Sequence, residues 1–595
     1  MNVAATTRET APTAAASETV LSVDGLAVGV NTEAGPRPLV TDLAFDLRRG
    51  ETLAIAGESG SGKSITALAI MGLLPGAARV MAGRVMLDGT DLLRLPENAM
   101  RAIRGDRIAM IFQEPMSSLN PVLSVGRQLV EAIEANVPVA RGEAGARAVE
   151  ALRAVRLSEP ERRMSQYPHE LSGGMRQRVM IAMAIALKPE VLIADEPTTA
   201  LDVTVQREIL DLLRDLQASL GTAIILITHD MGVVAEMADR VIVLKSGRRI
   251  EEAPTRTLFT GPREPYTRAL LAAVPRMGGG EGAPPERSRE APVARLSDLK
   301  VTFDLRRGLF GGVTHRIHAV EGVSFEIRAG ETFALVGESG CGKSSVARAM
   351  AGLTPFTGGI EINGSRLGAP GADPGTARRD AQMIFQDPMS SLDPRMRVGT
   401  LVSEPLVIHG IGTAAERRAR AADLFERVGL SRDQLDRYPH EFSGGQRQRI
   451  CIARALALEP RLIIADESVS ALDVSVQARV LDLLRGLKEN TGVAFLFISH
   501  DMAVVENISD RVAVMYLGQI VETGTRAQVF GDPRHSYTRR LIDAVPVPDP
   551  THVRPPQPRL SGEPPSPLRR VDDPPARVIV QDVGGGHLVA GEEAT

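Results

Sequence analysis

Short apolar runs alternate with stretches of helical periodicity along most of the chain, and this alternation occurs twice. The runs ETLAIAG at 51–57 and ETFALVG at 331–337 are apolar and end in glycine, which predicts buried strands that lead into a turn. The stretches that follow, KSITALAIMGLL at 63–74 and KSSVARAMAGL at 343–353, have the apolar spacing of helices. Later runs such as VLIADE and AIILITH predict further strands. Together they predict a parallel α/β core with helices on both faces of the sheet.

Other stretches indicate insertions and boundaries. Residues around 121–165 and 396–436, rich in Ala, Arg, Glu and Leu, predict inserted all-helical lobes. The stretch at 275–292 is rich in Gly, Pro and charge, which is typical of a linker. The closing ARVIVQDVGGGHLVA could add one short strand to a Pro-dense tail. The predicted organisation is a disordered tail at 1–19, a first domain at 20–274, a linker at 275–294, a second domain at 295–546 and a Pro-rich tail at 547–595.

The two halves repeat the same motifs in the same order. Self-similarity of this kind indicates one structural unit that is present twice. The pairs are GESGSGKS at 57–64 and GESGCGKS at 337–344, MIFQEPMSSLNP at 110–121 and MIFQDPMSSLDP at 383–394, LSGGMRQR at 171–178 and FSGGQRQR at 442–449, VLIADEPTTALDVTVQ at 191–206 and LIIADESVSALDVSVQ at 462–477, and ITHDMGVV at 227–234 and ISHDMAVV at 498–505.

Composition narrows the class of protein. The 595 residues are 43% apolar and 24% charged with a formal net charge of −4, which suits a chain with more than one globular domain. No basic stripe stands out, so no nucleic-acid partner is expected. Cys341 and Cys451 are too few for a four-thiolate zinc or iron–sulfur site and suit a reducing cytosol. The chain has no signal-peptide core and no apolar run near the roughly 18 residues of a membrane helix, so we expect a soluble protein.

Each GESG(S/C)GKS motif lies between a predicted strand and a predicted helix, which is the context that a phosphate-binding loop requires. Its glycines let backbone N–H groups approach phosphate oxygens, and the helix directs its positive end there. Lys63 and Lys343 would neutralise the outer phosphates, while Ser64 and Ser344 would bind Mg²⁺. The alternative, a Gly-rich turn with a chance lysine, loses most of its weight when the motif occurs twice. The residues assigned to the nucleotide are Gly57, Glu58, Ser59, Gly60, Ser61, Gly62, Lys63, Ser64 and Ile65 in the first half and Gly337, Glu338, Ser339, Gly340, Cys341, Gly342, Lys343, Ser344 and Ser345 in the second.

A pair of acids ends one buried strand of each half. Such a strand delivers its acids to the carboxyl edge of the sheet, where ligands bind in doubly wound folds. Asp195 and Asp466 suit the Mg²⁺ shell, and Glu196 and Glu467 suit the orientation or deprotonation of the water that attacks the γ-phosphate. The alternative is an N-capping acid pair at the start of a helix.

Two further polar residues per half follow strands. Gln113 and Gln386 could contact Mg²⁺ or the attacking water, and we count them with the metal ligands and the catalytic residues. His229 and His500 could hydrogen-bond the γ-phosphate and the catalytic carboxylate. Taken singly, each of these is as well explained as an ordinary polar residue at a strand end, so the functional interpretation depends on the order of the whole set.

With SGG just before the acid pair, each half resembles an ABC-type nucleotide-binding domain, from about residue 20 to about 545. The resemblance implies two tandem P-loop NTPase domains, each with a RecA-like parallel core, a small antiparallel β part and a helical lobe. It also implies that the SGG residues of one half cap the γ-phosphate held by the other half, so that two composite ATP sites form within one chain. The residues carried over are Ser172, Gly173, Gly174 and Asp202 in the first half and Ser443, Gly444, Gly445 and Asp473 in the second.

Stretches after each domain, EPYTRALLAAVP at 264–275 and HSYTRRLIDAVP at 535–546, resemble the tail pieces of peptide-importer ATPases. This implies an ATP-driven motor on the cytoplasmic face of a bacterial inner membrane. Its partners would be two permease subunits and, through them, an extracytoplasmic binding protein. The expected cargo is glutathione, dipeptides or oligopeptides, with nickel chelates or opine-like compounds as the alternative. A soluble twin ATPase on ribosomes or DNA, or an assembly protein that binds ATP without hydrolysis, are more distant alternatives.

The sequence also leads to expectations about the adenine contact, the activity of both sites, the permease contact and an iron–sulfur cluster. The first half offers no aromatic residue to stack on adenine at 29–40, and the second offers Phe310, His315 or His318. Neither half lacks a catalytic acid, signature serine or histidine, so both sites should work. The strips at 115–129 and 388–401 are the expected permease contacts, with packing inside the lobe as the alternative. No iron–sulfur cluster is expected.

Overall fold

The computed structural model describes residues 18–32, 35–199, 201–278, 291–307, 312–368, 374–470, 472–552, 554, 568–571 and 573–591. The chain forms two compact units. The first comprises Met1–Thr199 and Ile209–Arg268, and the second comprises Ala200–Glu208 and Ala269–Thr595. The units divide a few residues before the predicted linker, and the second takes in a short segment from the middle of the first half. The predicted tail at 1–19 lies outside the described residues except for its last two, and most of the predicted linker lies outside them too.

The described part of the first half contains ten strands and eleven helices. The strands are β1 (Thr19–Thr32), β2 (Gly35–Arg48), β3 (Thr52–Ala56), β4 (Ala78–Leu87), β5 (Thr90–Asp91), β6 (Ile108–Ile111), β7 (Val191–Asp195), β8 (Ala223–Thr228), β9 (Arg240–Lys245) and β10 (Arg248–Pro254). The helices are α1 (Lys63–Ile70), α2 (Glu97–Ile103), α3 (Pro115–Ser118), α4 (Val125–Asn136), α5 (Arg141–Ala154), α6 (Pro160–Arg163), α7 (Gly173–Ile185), α8 (Val203–Leu220), α9 (Met231–Met237), α10 (Thr255–Thr260) and α11 (Pro265–Ala273).

The described part of the second half repeats this order, except that a 3-10 helix (Arg432–Asp436) stands at the place of α6, and it adds three strands at its end. The strands are β11 (Ala294–Arg307), β12 (Gly312–Ile327), β13 (Thr332–Val336), β14 (Thr357–Ile362), β15 (Ser365–Arg366), β16 (Ala381–Ile384), β17 (Leu462–Asp466), β18 (Ala494–Ile498), β19 (Arg511–Tyr516), β20 (Gln519–Thr525), β21 (Leu568–Arg570), β22 (Val580–Asp582) and β23 (Leu588–Ala590). The helices are α12 (Lys343–Met350), α13 (Pro374–Asp380), α14 (Pro388–Ser391), α15 (Val398–Ile408), α16 (Ala414–Arg427), α17 (Gly444–Leu456), α18 (Val474–Thr491), α19 (Met502–Ile508), α20 (Arg526–Gly531) and α21 (Ser536–Ala544).

Each unit has a larger, mixed sheet and a smaller antiparallel sheet. In the first unit the strand order of the larger sheet is β10-β9-β3-β8-β7-β6, and all its pairs are parallel except β9–β10. The smaller sheet has the order β2-β1-β4-β5. All five residues of β3 and of β7 are buried, because helices cover both faces of a parallel sheet and its strands are apolar throughout. The predicted fold class is therefore confirmed, with helices α4 to α6 in the first predicted lobe and α15 and α16 in the second.

The second unit extends both sheets with residues from the Pro-rich tail. Its larger sheet has the order β16-β17-β18-β13-β19-β20-β23-β22, and β21 joins the smaller sheet beside β12. Where the sequence indicates one possible strand, the described part of this tail thus contributes three. Throughout the described ranges, no helix is long and apolar enough to cross a membrane.

Candidate functional site

The two phosphate loops connect β3 to α1 and β13 to α12. Gly57 to Gly62 form the first loop, and Lys63, Ser64 and Ile65 begin α1; the second loop and Lys343, Ser344 and Ser345 follow the same plan. Lys63 Nζ donates to the carbonyl oxygens of Gly57 (2.7 Å) and Glu58 (2.9 Å). Lys343 makes the same two bonds in its own loop, at 2.7 and 2.8 Å. Each lysine is buried and its ammonium group lies against its own loop, where it can contact a phosphate oxygen.

Glycine is required in these loops for steric reasons. Gly57 has φ +150°, and a Cβ there would lie 2.3 Å from the carbonyl oxygen of Leu244. At Gly337 the corresponding distance to the oxygen of Met515 is 2.2 Å. Any side chain at these two positions would push the neighbouring backbone away. Glycine therefore preserves the tight loop whose backbone N–H groups can surround a phosphate group. The buried hydroxyl of Ser61 in the first loop has no hydrogen-bond partner among the described residues, and Cys341 stands in its place in the second.

A serine and an aspartate meet beside each loop. Ser64 Oγ donates to Asp195 Oδ1 at 3.0 Å, and Ser344 Oγ donates to Asp466 Oδ1 at 2.9 Å. Burial raises the pKa of Asp195 to about 6 and raises the pKa of Asp466 as well. A buried carboxylate whose charge is not fully compensated, next to a hydroxyl oxygen, is a donor set that fits Mg²⁺.

The glutamate predicted to be catalytic in the first half is held by three side chains. Glu196 Oε2 accepts hydrogen bonds from Gln113 Nε2 and Thr199 Oγ1, both at 2.9 Å, and Glu196 Oε1 lies 3.1 Å from His229 Nδ1. Burial alone would raise the pKa of Glu196, but the bonds from His229 and Thr199 outweigh it and lower this pKa. Burial alone would lower the pKa of His229, but its bond to Glu196 raises it. The glutamate is therefore ionised and oriented at neutral pH.

The second half repeats this arrangement with two differences, one at the histidine and one at the hydroxyl. Gln386 Nε2 donates to Glu467 Oε2 at 2.7 Å, and His500 Nδ1 lies 3.5 Å from the same oxygen. The bond from His500 lowers the pKa of Glu467 despite its burial. Ser470, at the place of Thr199, donates to the backbone oxygen of Glu467 instead of its carboxylate. The hydroxyl at this position was missed in the sequence, although its spacing of three residues from the glutamate is visible there.

The SGG residues begin a long helix in each half. Ser172 precedes α7 and accepts a hydrogen bond from Met175 N at 3.3 Å, and Ser443 precedes α17 and accepts one from Gln446 N. Ser172, Gly173, Ser443 and Gly444 are exposed, Gly174 is half-buried and Gly445 is buried. In the second half, Gln446 Oε1 also accepts from Ser443 N at 3.0 Å. The exposed N-terminus of a helix is an anion-binding feature, so these serines are available to a phosphate group.

Asp202 and Asp473 occupy the segments that follow the acid pairs. Asp202 belongs to the second unit, where its Oδ1 accepts a hydrogen bond from Ser339 N in the phosphate loop. Thr204 of the same segment donates to the carboxylate of Glu338. Asp473 precedes α18 and accepts from Gln477 N through its backbone oxygen. Thr204 was missed because nothing in its local sequence indicates a contact with residue 338.

The candidate adenine-stacking residues differ in their surroundings. His318 is buried, with 7% of its surface exposed, and its Nδ1 lies 2.9 Å from Glu321 Oε2, so it is poorly placed to stack on a base. His315 is half-buried on β12, opposite Arg570 of β21. Phe310 lies outside the described residues. His315 is the better placed of the two described candidates.

The strips predicted to contact permeases contain short helices with partly exposed apolar residues. In the second strip Met389 is 51% exposed, and in the first Val122 is 75% exposed, while Leu119, Val125 and Leu129 are buried. Each strip therefore has both a packing face and an accessible face. Their proposed role in docking stays a prediction.

The chain is similar to two sequence families, to individual proteins and to a solved structure. Residues 40–199 and 320–470 match the sequence family described as ABC transporter, and residues 250–300 and 521–572 match the one described as oligopeptide/dipeptide transporter, C-terminal region. The chain is 51% identical over 603 residues to the glutathione import ATP-binding protein GsiA of Escherichia coli (strain K12), covering 96% of each chain. GsiA of Shigella boydii serotype 4 (strain Sb227) is 50% identical with the same coverage. A solved dimeric ATP-binding cassette bound to ADP and Pi is 29% identical, with a TM-score of 0.36, covering 39% of this chain and 98% of that one.

Proposed function

Because the chain belongs to the ABC transporter family, we propose that it is the ATP-hydrolysing motor of an importer for glutathione or closely related peptides. It is an ABC-type ATPase with two nucleotide-binding halves. The cargo class is supported by the 51% identity to GsiA over 96% of the chain, together with the match to the oligopeptide/dipeptide transporter C-terminal region at the end of each half. The identity extends through both halves, so one half alone does not account for the similarity.

Within each half, different residues have different roles in ATP hydrolysis. The loop amides and Lys63 hold the phosphates, and Ser64, Asp195 and Gln113 would hold Mg²⁺, which neutralises phosphate charge when bound. Glu196, ionised and tied to His229, accepts a proton from the attacking water. In the second half, the same roles fall to Lys343, Ser344, Asp466, Gln386, Glu467 and His500.

We further propose that each SGG segment caps the nucleotide held by the other half. The support is chemical: Ser172 and Ser443 are exposed at the N-termini of long helices, where backbone N–H groups favour an anion. Covalent fusion keeps both halves at high effective concentration. The chain would thus hold two composite ATP sites.

The partners proposed for this motor are two membrane permeases and, through them, an extracytoplasmic binding protein. The chain would sit at the cytoplasmic face of the inner membrane as a peripheral subunit. The accessible apolar residues of the strips at 115–129 and 388–401 support a permease contact there. Cysteine crosslinks placed in these strips that never reach a permease would contradict it.

The test uses the motor assembled with its permeases in lipid and supplied with the binding protein. Glutathione on the binding protein should stimulate ATP hydrolysis, whereas a nickel chelate should not, and dipeptides serve as the comparison within the peptide class. The double variant Glu196→Gln with Glu467→Gln should reduce turnover by about 10²–10⁴-fold, the usual cost of losing a general base. Unchanged turnover in that variant would refute the assigned mechanism, and stimulation by the chelate alone would refute the cargo class.

A further inference from the structure

We propose that the C-terminal hairpin, formed by β22 and β23 with the turn between them, positions the second phosphate loop through helix α21. ATP binding at Lys343 would then depend on His587, while binding at Lys63 would not. The inference rests on the proposed function of the second loop as an ATP site. It concerns positioning residues and adds no group that touches the nucleotide.

The hairpin is built into the second unit. Strand β23 pairs with β20, with Val589 opposite Glu522, and Val589 and Ala590 are buried against the core. The amide of Gln519 on β20 bonds the chain that leads into the hairpin: its Nε2 donates to Ala576 O at 2.9 Å and its Oε1 accepts from Val578 N at 2.8 Å. These bonds between one side-chain amide and the backbone on both sides of Arg577 fix the tail in one register.

A buried histidine links the hairpin to the start of α21. His587 Nε2 lies 2.7 Å from Glu522 Oε1, and both side chains are almost completely buried. The two oxygens of Glu522 also accept from the backbone N–H groups of Arg534 (2.8 Å) and His535 (3.0 Å), just before α21. A carboxylate oxygen only accepts, so His587 Nε2 carries the proton. Removing the imidazole would leave a buried carboxylate with fewer donors and would loosen the start of α21.

Helix α21 in turn contacts the phosphate loop. Glu338 N donates to the phenolic oxygen of Tyr537 at 3.0 Å. The Tyr537 ring packs on Tyr516 with ring centroids 4.4 Å apart, and Arg540 reaches the Glu338 carboxylate at 3.4 Å. Burial raises the pKa of Tyr537, so the phenol remains neutral. The path from His587 through Glu522 and Tyr537 therefore ends on a backbone amide of the loop.

The first half has the contact between the glutamate and the start of the helix, but not the residues that bind the tail. Glu251, the repeat counterpart of Glu522, accepts from the backbone N–H groups of Arg263 and Glu264 before α11. By the same repeat, Ala253 corresponds to Gly524, where a Cβ would lie 3.1 Å from His587 Cδ2. Arg248 likewise corresponds to Gln519. The residues that receive the hairpin are thus particular to the second half, and the dependence should be confined to its site.

The test is a fluorescence titration of the full chain with mant-ATP in two backgrounds. Lys63→Ala leaves the second loop as the binding site, and Lys343→Ala leaves the first. Adding His587→Ala to the Lys63→Ala chain should weaken mant-ATP binding about threefold to tenfold, as expected for one lost buried hydrogen bond. Adding it to the Lys343→Ala chain should leave binding unchanged.

Three further variants separate positioning from general stability. His587→Gln places an amide nitrogen near the position of Nε2 and should restore binding. His552→Ala removes an exposed histidine of the same tail and should have no effect. Tyr537→Phe should weaken the second site alone even if His587→Ala lowers the Tm. Equal weakening in both backgrounds, or none in either, would overturn the inference, whereas a Lys63→Ala chain that binds no mant-ATP would overturn the proposed second ATP site itself.

Discussion

Replacing Asp195 by asparagine should stabilise the nucleotide-free protein at neutral and alkaline pH. The aspartate is 4% exposed, and burial raises its pKa to about 6 from an ordinary value of 3.8. At pH 8 the protein therefore holds an ionised carboxylate in a place that disfavours the charge. Asparagine keeps an oxygen that can accept the hydrogen bond from Ser64 and carries no charge.

The size and sign of the effect follow from proton linkage. A carboxyl with a raised pKa binds its proton more tightly in the folded state, so stability falls as pH rises from about 4 to about 6 and is level beyond. A difference of roughly two pKa units corresponds to about 3 kcal/mol. Because an asparagine side chain does not titrate, the Asp195→Asn variant should gain this amount relative to the native chain above pH 7 and nothing near pH 4, where both side chains are neutral in the folded protein.

The assay is the apparent Tm of the nucleotide-free chain between pH 4 and pH 8. The variant should unfold at a temperature higher by on the order of 5 °C at pH 8, with the gap closing toward pH 4. Asp466→Asn should shift the Tm in the same direction, and Glu134→Gln, which removes an exposed charge from α4, should not. A gap independent of pH, or a loss of stability at pH 8, would refute the assignment of Asp195 as a charge that lacks its counter-ion.

Two further predictions concern a glycine of the second phosphate loop and the N-terminus of α7. Gly337→Ala should abolish mant-ATP binding at the second loop because its Cβ would lie 2.2 Å from a carbonyl oxygen, whereas Gly486→Ala, on a helix with open space around it, should bind normally in the same titration. Met175→Gln should stabilise the first half by roughly 0.5–1 kcal/mol, because the new side chain can accept from Ser172 N as Gln446 does from Ser443 N; an unchanged unfolding midpoint in denaturant would contradict this.

Much of each site could be predicted from sequence because its residues follow strands of one parallel sheet. The carboxyl ends of β6, β7 and β8 lie at the same edge, which brings Gln113, Glu196 and His229 together although 116 positions separate the first from the last. A buried parallel strand is apolar throughout, so its end is visible as the first polar residue. The order of the motifs along the chain therefore predicts which residues lie together at the edge of the sheet.

The tail could not be predicted in the same way. Strands β21, β22 and β23 have three residues each, too few for a periodic pattern, and they form because they pair with the edges of existing sheets. The bond between Glu338 N and Tyr537 joins residues 199 positions apart. Nor does the sequence place Ala200–Glu208 in the second unit. These features depend on which surfaces meet after folding.

The pKa values of the two adjacent acids of each half are shifted in opposite directions because the backbone turns between them. Asp195 is the last residue of β7, and its carboxylate accepts a hydrogen bond from Ser64. Glu196 has a φ of +47°, so the chain turns there and the Glu196 carboxylate contacts Gln113 and His229. Burial raises the pKa of the aspartate, whereas at the glutamate the effect of burial is outweighed by the combined hydrogen bonds and positive charges around it, which lower its pKa. Pairs of acids whose environments push their pKa values apart are suited to different tasks. The ionised aspartate is most stable when a cation compensates its charge, whereas the glutamate can accept a proton without a cation. Nucleotide and metal binding should therefore change the electrostatic environment of the aspartate and leave the glutamate able to accept a proton.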